Sequence, residues 1–193
     1  MRDNKILDVI RKRRSILRFR EEAVSDQKLD MVLEAGRWAP SYANSQPWTF
    51  IVVRDEAKRK ALENLVLRIS LASTSSGSVA GPGLGDAPVV IAVVVDPLRD
   101  PRHYIEAGAA AVQNMALAAH SLGLATFWAG VFALKSGRKS AEAMIKRLLD
   151  IPKDMRVIAL LPLGVPAYDS NERTEIIRRK DLSELVRHES FSG

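Results

Sequence analysis

The longest unbroken apolar segment of the chain, residues 87–95, limits its fold more than any other feature. It consists largely of valine and isoleucine, which favour β-strands. Because apolar and polar residues do not alternate, both faces of the strand must be buried. We therefore predict a strand at 88–96 in the centre of a sheet covered on both sides. The segment is about half as long as the ~18–20 residues of a membrane-spanning helix, so we expect no membrane partner.

Hydrophobic periodicity elsewhere predicts five helices and three further strands. We place the helices at 4–13, from Ser25 to the turn before Pro40, and at 57–71, 105–122 and 140–149, and the strands at 48–53, 124–128 and 157–163. The segment 70–85 is rich in Ser, Gly and Pro, so we expect a mobile loop or a poorly ordered helix end. From Asp181 we expect a terminal helix or an extended arm. The sum is an α+β fold in a single domain spanning residues 1–193, with about four strands and more helices than strands.

The composition and the motif content exclude several kinds of site. The chain has no cysteine, which removes disulfides, thiolate nucleophiles, iron–sulfur clusters and cysteine-based zinc sites. Its three histidines are far apart in sequence, so we predict no metal site. No P-loop, dinucleotide fingerprint or Gly-x-Ser-x-Gly motif is present. The first residues offer no apolar signal segment, and we expect a cytoplasmic protein.

Basic residues concentrate at the two ends of a chain that carries 29 Lys and Arg against 23 Asp and Glu, for a net charge of +6. The clusters at 11–14 and 178–180 either converge on one anion or form two solvated faces. Within the first cluster, Arg13, Arg14 and Ser15 offer two guanidinium groups and a hydroxyl, a spacing that suits one phosphate. The alternative is a basic helix end that interacts with the dipole of its own helix.

A second unusual segment, residues 39–48, places amide and hydroxyl side chains between two prolines, just before a predicted strand. Ser41, Asn44 and Gln46 supply donors and acceptors that suit a flat heterocycle with alternating C=O and N–H edges. The alternative is a polar turn in which Ser41 and Asn44 bond their own backbone.

Together these segments resemble the opening of the nitroreductase family of flavin mononucleotide (FMN) enzymes. Further motifs follow in the family's order: Tyr-Ile-Glu-Ala-Gly-Ala at 104–109, Gln-Asn-Met at 113–115, Phe-Trp-Ala-Gly at 127–130, Leu-Gly-Val-Pro at 163–166 and Arg-Lys-x-Leu-x-Glu at 179–184. The similarity covers nearly the whole chain. It departs from the family at 79–84, where some relatives carry an Asn and a Lys, and at Glu106, where Asp is more usual.

The resemblance implies an intertwined homodimer in which each subunit has a central mixed sheet flanked by helices, with FMN bound at the interface. Its implied cofactor-binding residues are Arg13, Arg14, Ser15 and Arg179 at the phosphate and ribityl end, Ser41, Asn44 and Gln46 reaching the flavin from the partner subunit with Pro40 and Tyr42 nearby, and the backbone of Ala129 and Gly130 beside the ring. Arg178 and Lys180 are weaker candidates at the phosphate. The segment 70–85 would then be a lid over the open face of the flavin.

The implied reaction transfers hydride from NAD(P)H to flavin N5 and then reduces a nitroaromatic, quinone or enone by a ping-pong mechanism. No catalytic side chain is assigned, because the cofactor carries the chemistry. The alternatives are a flavin-dependent dehalogenase or flavin-processing relative on the same fold, and a basic nucleic-acid-binding protein. The resemblance favours a small-molecule electron acceptor and a second copy of the chain as partners, rather than nucleic acid.

Overall fold

A computed structural model of the chain describes residues 4–72, 83–168 and 179–191. The helices are α1 (Lys5–Lys12), α2 (Asp26–Arg37), α3 (Glu56–Ala72), α4 (Tyr104–Ser121), α5 (Ala141–Leu148) and α6 (Leu182–Leu185), with one 3-10 turn at Tyr42–Asn44. The strands are β1 (Trp48–Val53), β2 (Val89–Val95), β3 (Ala125–Thr126), β4 (Ala129–Gly130), β5 (Lys135–Ser136), β6 (Lys139–Ser140) and β7 (Arg156–Gly164). Within the described ranges, no helix combines the length and the apolar character needed to cross a membrane.

The central sheet is organised around β2 and β7. Its strand order is β1-β2-β7-β3, and β4 pairs with β7 further along the same edge as β3. These strand pairs are antiparallel, while an isolated parallel bridge between Ser15 and Thr126 makes the sheet mixed. The predicted α+β class is therefore confirmed.

Every residue of β2 is buried, as the absence of alternation predicted. Val90 and Val94 face a core that includes residues of α3 and α5, whereas Ile91 and Val93 face a core that includes residues of α2 and α4. The sheet is thus covered on both faces.

Small residues on α4 allow it to lie close to the sheet. A Cβ atom on Gly108 would come within 2.6 Å of Ile158 Cγ1 on β7, a distance that real side chains do not reach. On the other side of α4, a Cβ atom on Gly36 of α2 would lie 2.9 Å from Met115 Cγ. The short distance between backbones explains why the sequence carries glycine at both helical positions, where it otherwise destabilises a helix.

The chain from Ser15 to Arg20 runs along the edge of the sheet and fixes the end of α1 there. Ile16 N–H donates to Thr126 O at 3.1 Å, and Arg20 N–H donates to Val165 O at 2.9 Å. Ile16 and Phe19 are buried between these two bonds. This pairing holds Arg13 and Arg14 beside the segments 123–126 and 165–168.

Three sequence predictions about local structure need correction. The described residues contain seven strands, which outnumber the six α-helices, because four strands have only two residues each and lack a hydrophobic period that a sequence could show. The predicted strand at 124–128 is split into β3 and β4 by Phe127 and Trp128. Ser70, which the predicted helix at 57–71 and the predicted loop or helix end at 70–85 both included, lies inside α3, because it continues the buried face of that helix. Residues 73–82 of the predicted loop, and with them the lid hypothesis and most of the segment 79–84, lie outside the described residues.

Candidate functional site

A cavity of about 390 Å³ opens where the end of α1 meets the end of α4. Arg13, Arg14 and Arg20 line it from one side, and His120 and Thr126 from the other. Arg13 and Arg14 are half-buried, and the backbone at Arg13 leaves the helical conformation as the residue that ends α1. The two arginines therefore line the cavity at the end of α1, and the bonds of the following residues to the sheet edge fix their position. We call this space the basic cavity.

Electrostatics in the basic cavity favour the arrival of an anion. Burial lowers the pKa of Arg13, and the charges of Arg14 and Arg179 lower it further. Within the described ranges, no carboxylate lies within ion-pair distance of Arg13, Arg14 or Arg179. An external dianion would supply the counter-charge that these groups lack.

The charge of Arg179 acts on Arg13 although 165 positions separate them in sequence. The sequence left open whether the two basic clusters converge, and the structure brings at least this pair together. Arg179 is exposed just before α6, where Asp181 and Glu184 form a capping box. Lys180 is exposed beside it, and Arg178 lies outside the described residues.

His120 lines the basic cavity and was not among the predicted site residues. Burial lowers its pKa from 6.5, and the charges of Arg13, Arg14 and Lys12 lower it further, while Asp8 opposes them. The imidazole is therefore neutral at pH 7. Its position in the last turn of α4 is visible in the sequence, but the contact between α1 and α4 that places it beside the arginines is not.

Ser15, Ala129 and Gly130 lie along the same sheet edge. Ser15 is exposed and forms a bridge with Thr126, and Thr126 pairs with Leu163 of β7. Gly130 pairs with Ala159 of β7. Leu163 and Ala159 are four positions apart on β7, which corresponds to about 13 Å at the usual rise of a strand. In the described part of the chain β4 pairs with β7 alone, so the other edge of Ala129 and Gly130 carries no strand.

Neither backbone conformation nor close packing within the chain requires glycine at position 130. A Cβ atom there would meet only Trp128, at 3.7 Å, which is an ordinary contact, and Gly130 is not among the glycines with positive φ. The same test explains Gly108 and Gly36 by close packing within the chain. A group outside the chain, seated against the open edge of β4, would account for the missing side chain.

The predicted flavin-facing segment forms a tight turn in left-handed backbone. Ala43, Asn44 and Gln46 have φ values of 47°, 56° and 46°, a region that non-glycine residues rarely occupy. Ser41 Oγ accepts a hydrogen bond from Gln46 N–H at 3.0 Å, and Gln46 Nε2 donates to Asn44 O at 3.4 Å. Ser41 thus bonds its own backbone, as the alternative interpretation required, whereas the Asn44 side chain makes no hydrogen bond to the described residues. We call residues 41–46 the amide turn.

The amide turn faces a second cleft, of about 750 Å³, that shares no residue with the basic cavity. Asn44, Ser45 and Gln46 line it together with Trp48 and Phe50 of β1. Pro40 is exposed and Ser41 is half-buried, and neither lines this cleft. Within one chain, the amide turn and the predicted phosphate-side arginines are therefore not brought into one site.

The outer wall of this cleft carries an ionic clamp on α2. Arg37 donates two hydrogen bonds to the Glu34 carboxylate, at 2.6 and 2.7 Å, and the Trp38 indole N–H donates a third at 2.6 Å. The bonds from Arg37 and Trp38 hold the pKa of Glu34 at about 2. Both Glu34 and Arg37 line the cleft, so this ion pair persists there at any pH well above the lowered pKa of Glu34.

Comparisons with known proteins agree on one family. Residues 10–165 match the family model of the nitroreductase family. The chain is 34% identical over 170 residues to a protein of Methanothermobacter thermautotrophicus provisionally named NADH dehydrogenase/NAD(P)H nitroreductase, covering 87% of this chain and 81% of the relative. A solved structure of a provisionally named nitroreductase in complex with FMN, from Desulfovibrio desulfuricans, is 32% identical with a TM-score of 0.74, covering 98% of this chain and 99% of the other.

Relatives with other named activities are more distant. The iodotyrosine deiodinase of Nematostella vectensis is 24% identical over 198 residues, covering 92% of this chain and 72% of the relative. The motif order, the fold and the match across residues 10–165 confirm the resemblance that the sequence suggested. The chain belongs to the nitroreductase family.

Proposed function

We propose that this chain is an FMN-dependent NAD(P)H oxidoreductase that reduces a small-molecule acceptor by a ping-pong mechanism. FMN is the cofactor and NAD(P)H the electron donor; nitroaromatics, quinones and enones are the proposed acceptors. One observation carries the proposal: Arg13 and Arg14 line the basic cavity without a carboxylate partner among the described residues, and the charge of Arg179, from the opposite end of the chain, acts on Arg13.

Arg13, Arg14, Ser15 and Arg179 are the proposed ligands of the phosphate and ribityl end. Guanidinium groups bind phosphate oxygens bidentately and stay charged at any working pH. Burial, and then repulsion from Arg14 and Arg179, lowers the pKa of Arg13, and a dianion bound between these groups would offset both effects.

The open edge of β4 is the proposed ring-side support. Ala129 and Gly130 offer backbone along an edge that no strand of the described residues occupies, and Gly130 leaves the space in front of it clear. The distance from Ser15 to Gly130 along the sheet suits a cofactor whose phosphate and ring are separated by a ribityl chain.

A second copy of the chain completes the site in this proposal. Asn44 and Gln46 line a separate cleft within one chain, so they and the neighbouring Ser41 reach the flavin from a partner subunit, with Pro40 nearby. Large apolar side chains are exposed on α1 and near the C-terminus: Ile6 is 71% exposed, Leu182 77% and Phe191 93%. Such surfaces usually mark interaction sites, and burying them in a homodimer of single-domain subunits spanning residues 1–193 would account for them.

The chain's own residues bind, orient and shield, while the bound cofactor supplies the redox chemistry. When bound, FMN would supply the transfer of a hydride equivalent from NAD(P)H to the second substrate, so the protein needs no dedicated acid–base side chain. The arginines fix the phosphate, the edge of β4 fixes the ring, and the amide turn of the partner supplies hydrogen bonds to its polar rim.

The test is reconstitution of the purified protein with FMN, followed by stopped-flow reduction with NADH and NADPH in turn and reoxidation by a panel of nitroaromatics, quinones and enones. We expect a yellow dimer with one FMN per subunit, and reoxidation rates that do not depend on the donor used. A colourless monomer that is retained on DNA in a salt-sensitive manner would instead support the nucleic-acid-binding alternative.

Dehalogenation on the same fold is the second candidate, because a relative named iodotyrosine deiodinase covers most of this chain. Adding iodotyrosine to the acceptor panel and measuring iodide release separates the two reactions. Iodide release at a rate that exceeds nitroaromatic and quinone reduction would replace the proposed acceptors.

A further inference from the structure

The amide turn has an anchor outside itself, the loop between β2 and α4. Asp100 lies in this loop and is only 2% exposed. Its Oδ2 accepts a hydrogen bond from Ser45 Oγ at 3.3 Å, and its Oδ1 accepts one from His103 N–H at 2.9 Å, at the start of α4. One buried carboxylate thus links the amide turn to the helix that packs against the sheet.

Two further contacts join the same loop to the amide turn. The rings of Tyr42 and His103 lie 5.1 Å apart, and Asp96 N–H donates to Pro47 O at 2.9 Å just after the turn. Arg99 lines the cleft beside Asn44, Ser45 and Gln46. The loop therefore contacts the turn near its beginning, at Tyr42, and at its end, at Ser45 and the following Pro47.

The backbone of the turn needs such support. Left-handed φ values at three non-glycine residues within four positions are unfavourable and persist only where the surrounding structure holds them. Ser45 lies between two of these residues, Asn44 and Gln46. The Ser45 hydroxyl makes the side-chain hydrogen bond from the turn to the loop, whereas Ser41 Oγ accepts a hydrogen bond from Gln46 N–H within the turn.

We infer that Asp100 is a positioning residue, which acts through Ser45 to hold Asn44 and Gln46 in the orientation that binds flavin. The inference rests on the proposed function and adds to it a residue that does not touch the cofactor. Asp100 is also suited to the task because its second oxygen is fixed by the N-terminus of α4, where a carboxylate is favoured by the helix dipole.

The test compares FMN affinity, by flavin fluorescence quenching on the full-length dimer, in Ser45→Ala, Asp100→Ala and Asp100→Asn. Ser45→Ala removes one hydrogen bond, and we expect FMN to bind about five- to tenfold more weakly. Asp100→Ala should weaken binding at least as much. Asp100→Asn should restore affinity to within about twofold, because its amide can accept from His103 N–H and donate to Ser45 Oγ.

Leu98→Ala is the matched control, since Leu98 lies in the same loop, is 78% exposed and does not line the cleft beside the turn. It should leave FMN affinity unchanged. If Asp100→Ala does not fold, Ser45→Ala and Asp100→Asn still decide the question. An Asp100→Asn protein that loses as much affinity as Ser45→Ala would overturn the positioning role.

Asn44→Ala and Gln46→Ala separate this inference from the proposed function. If both weaken FMN binding while Ser45→Ala does not, the positioning role is wrong and the proposed ring-side assignment stands. If neither weakens FMN binding, the amide turn is not a flavin ligand, and the proposed function loses its ring-side half.

Discussion

The basic cavity is held by regular secondary structure, whereas the amide turn is held by side-chain contacts and left-handed backbone. Arg13 and Arg14 end a helix, and the residues that follow them are bonded to the sheet edge. The turn instead depends on Ser41, on Ser45 and on a carboxylate from a different loop. The basic cavity holds like charges close together despite their mutual repulsion, whereas the amide turn holds its backbone in an unfavourable conformation.

The difference shows two ways in which a binding site can be preorganised. In the basic cavity the unfavourable term is electrostatic, so a bound anion removes it directly. In the amide turn the unfavourable term is conformational, and it persists whether or not a ligand is present. Substitutions should therefore affect the two regions differently. Removing an arginine from the basic cavity should weaken FMN binding, whereas relieving backbone strain in the amide turn should stabilise the folded protein.

The largest expected effect belongs to Arg13→Ala. Loss of a charge-assisted contact worth about 1.5–3 kcal/mol should weaken FMN binding by roughly 10- to 100-fold. The melting temperature of the cofactor-free protein should not fall, because repulsion from Arg14 and Arg179 is removed with the guanidinium. Fluorescence titration and thermal unfolding measure the two quantities. Arg138→Ala, at an exposed residue that lines neither space, is the control and should change neither.

A pair of glycine substitutions tests the open edge of β4. Gly108→Ala should lower the free energy of unfolding by about 1–3 kcal/mol, because the new methyl group overlaps Ile158. Gly130→Ala should leave the stability of the cofactor-free protein within about 0.5 kcal/mol of the parent, because it meets only ordinary contacts. Gly130→Ala should nevertheless weaken FMN binding. Unchanged FMN affinity in Gly130→Ala would argue against a ring seated on this edge.

Relief of strain in the amide turn should have a smaller effect with the opposite sign. Ala43→Gly places a permissive residue at φ 47°, and we expect the free energy of unfolding to rise by about 0.5–1 kcal/mol. Ala57→Gly, at an exposed position of α3, should lower it by up to about 1 kcal/mol. Chemical denaturation of the cofactor-free proteins measures both. Destabilisation by Ala43→Gly would mean that the turn carries no stored strain.

The smallest effect concerns His120 and pH. Because the pKa of His120 is lowered in the folded protein, the unfolded chain binds more protons near pH 6.5 and stability rises with pH there. The contribution of His120 to the free energy of unfolding is therefore most favourable above pH 6.5, and it declines as the pH falls through the pKa of His120 in the folded protein. His120→Asn should flatten this part of the stability profile of the cofactor-free protein. Added inorganic phosphate should flatten it too, since an anion in the basic cavity favours the protonated ring; a profile insensitive to both changes would contradict this placement of His120.

The sequence by itself determined the local elements and the types of residue at the site. The strand at 48–53 is found with the predicted bounds, and Ser25 and Ser140 cap their helices by accepting the N–H groups of Lys28 and Ala143. Such features depend on side chains a few residues apart, which a sequence displays directly. The order of the motifs was also sufficient to indicate the family.

Only the tertiary structure decided which distant residues meet. It brought the charge of Arg179 to Arg13, His120 to the basic cavity and Asp100 to Ser45, and it placed the amide turn in a separate cleft. These contacts join positions tens to more than a hundred residues apart, where packing against a shared sheet, rather than local preference, fixes the geometry. Helix and strand periods follow from neighbouring residues, but the convergence of two basic clusters depends on how the whole chain buries its apolar faces.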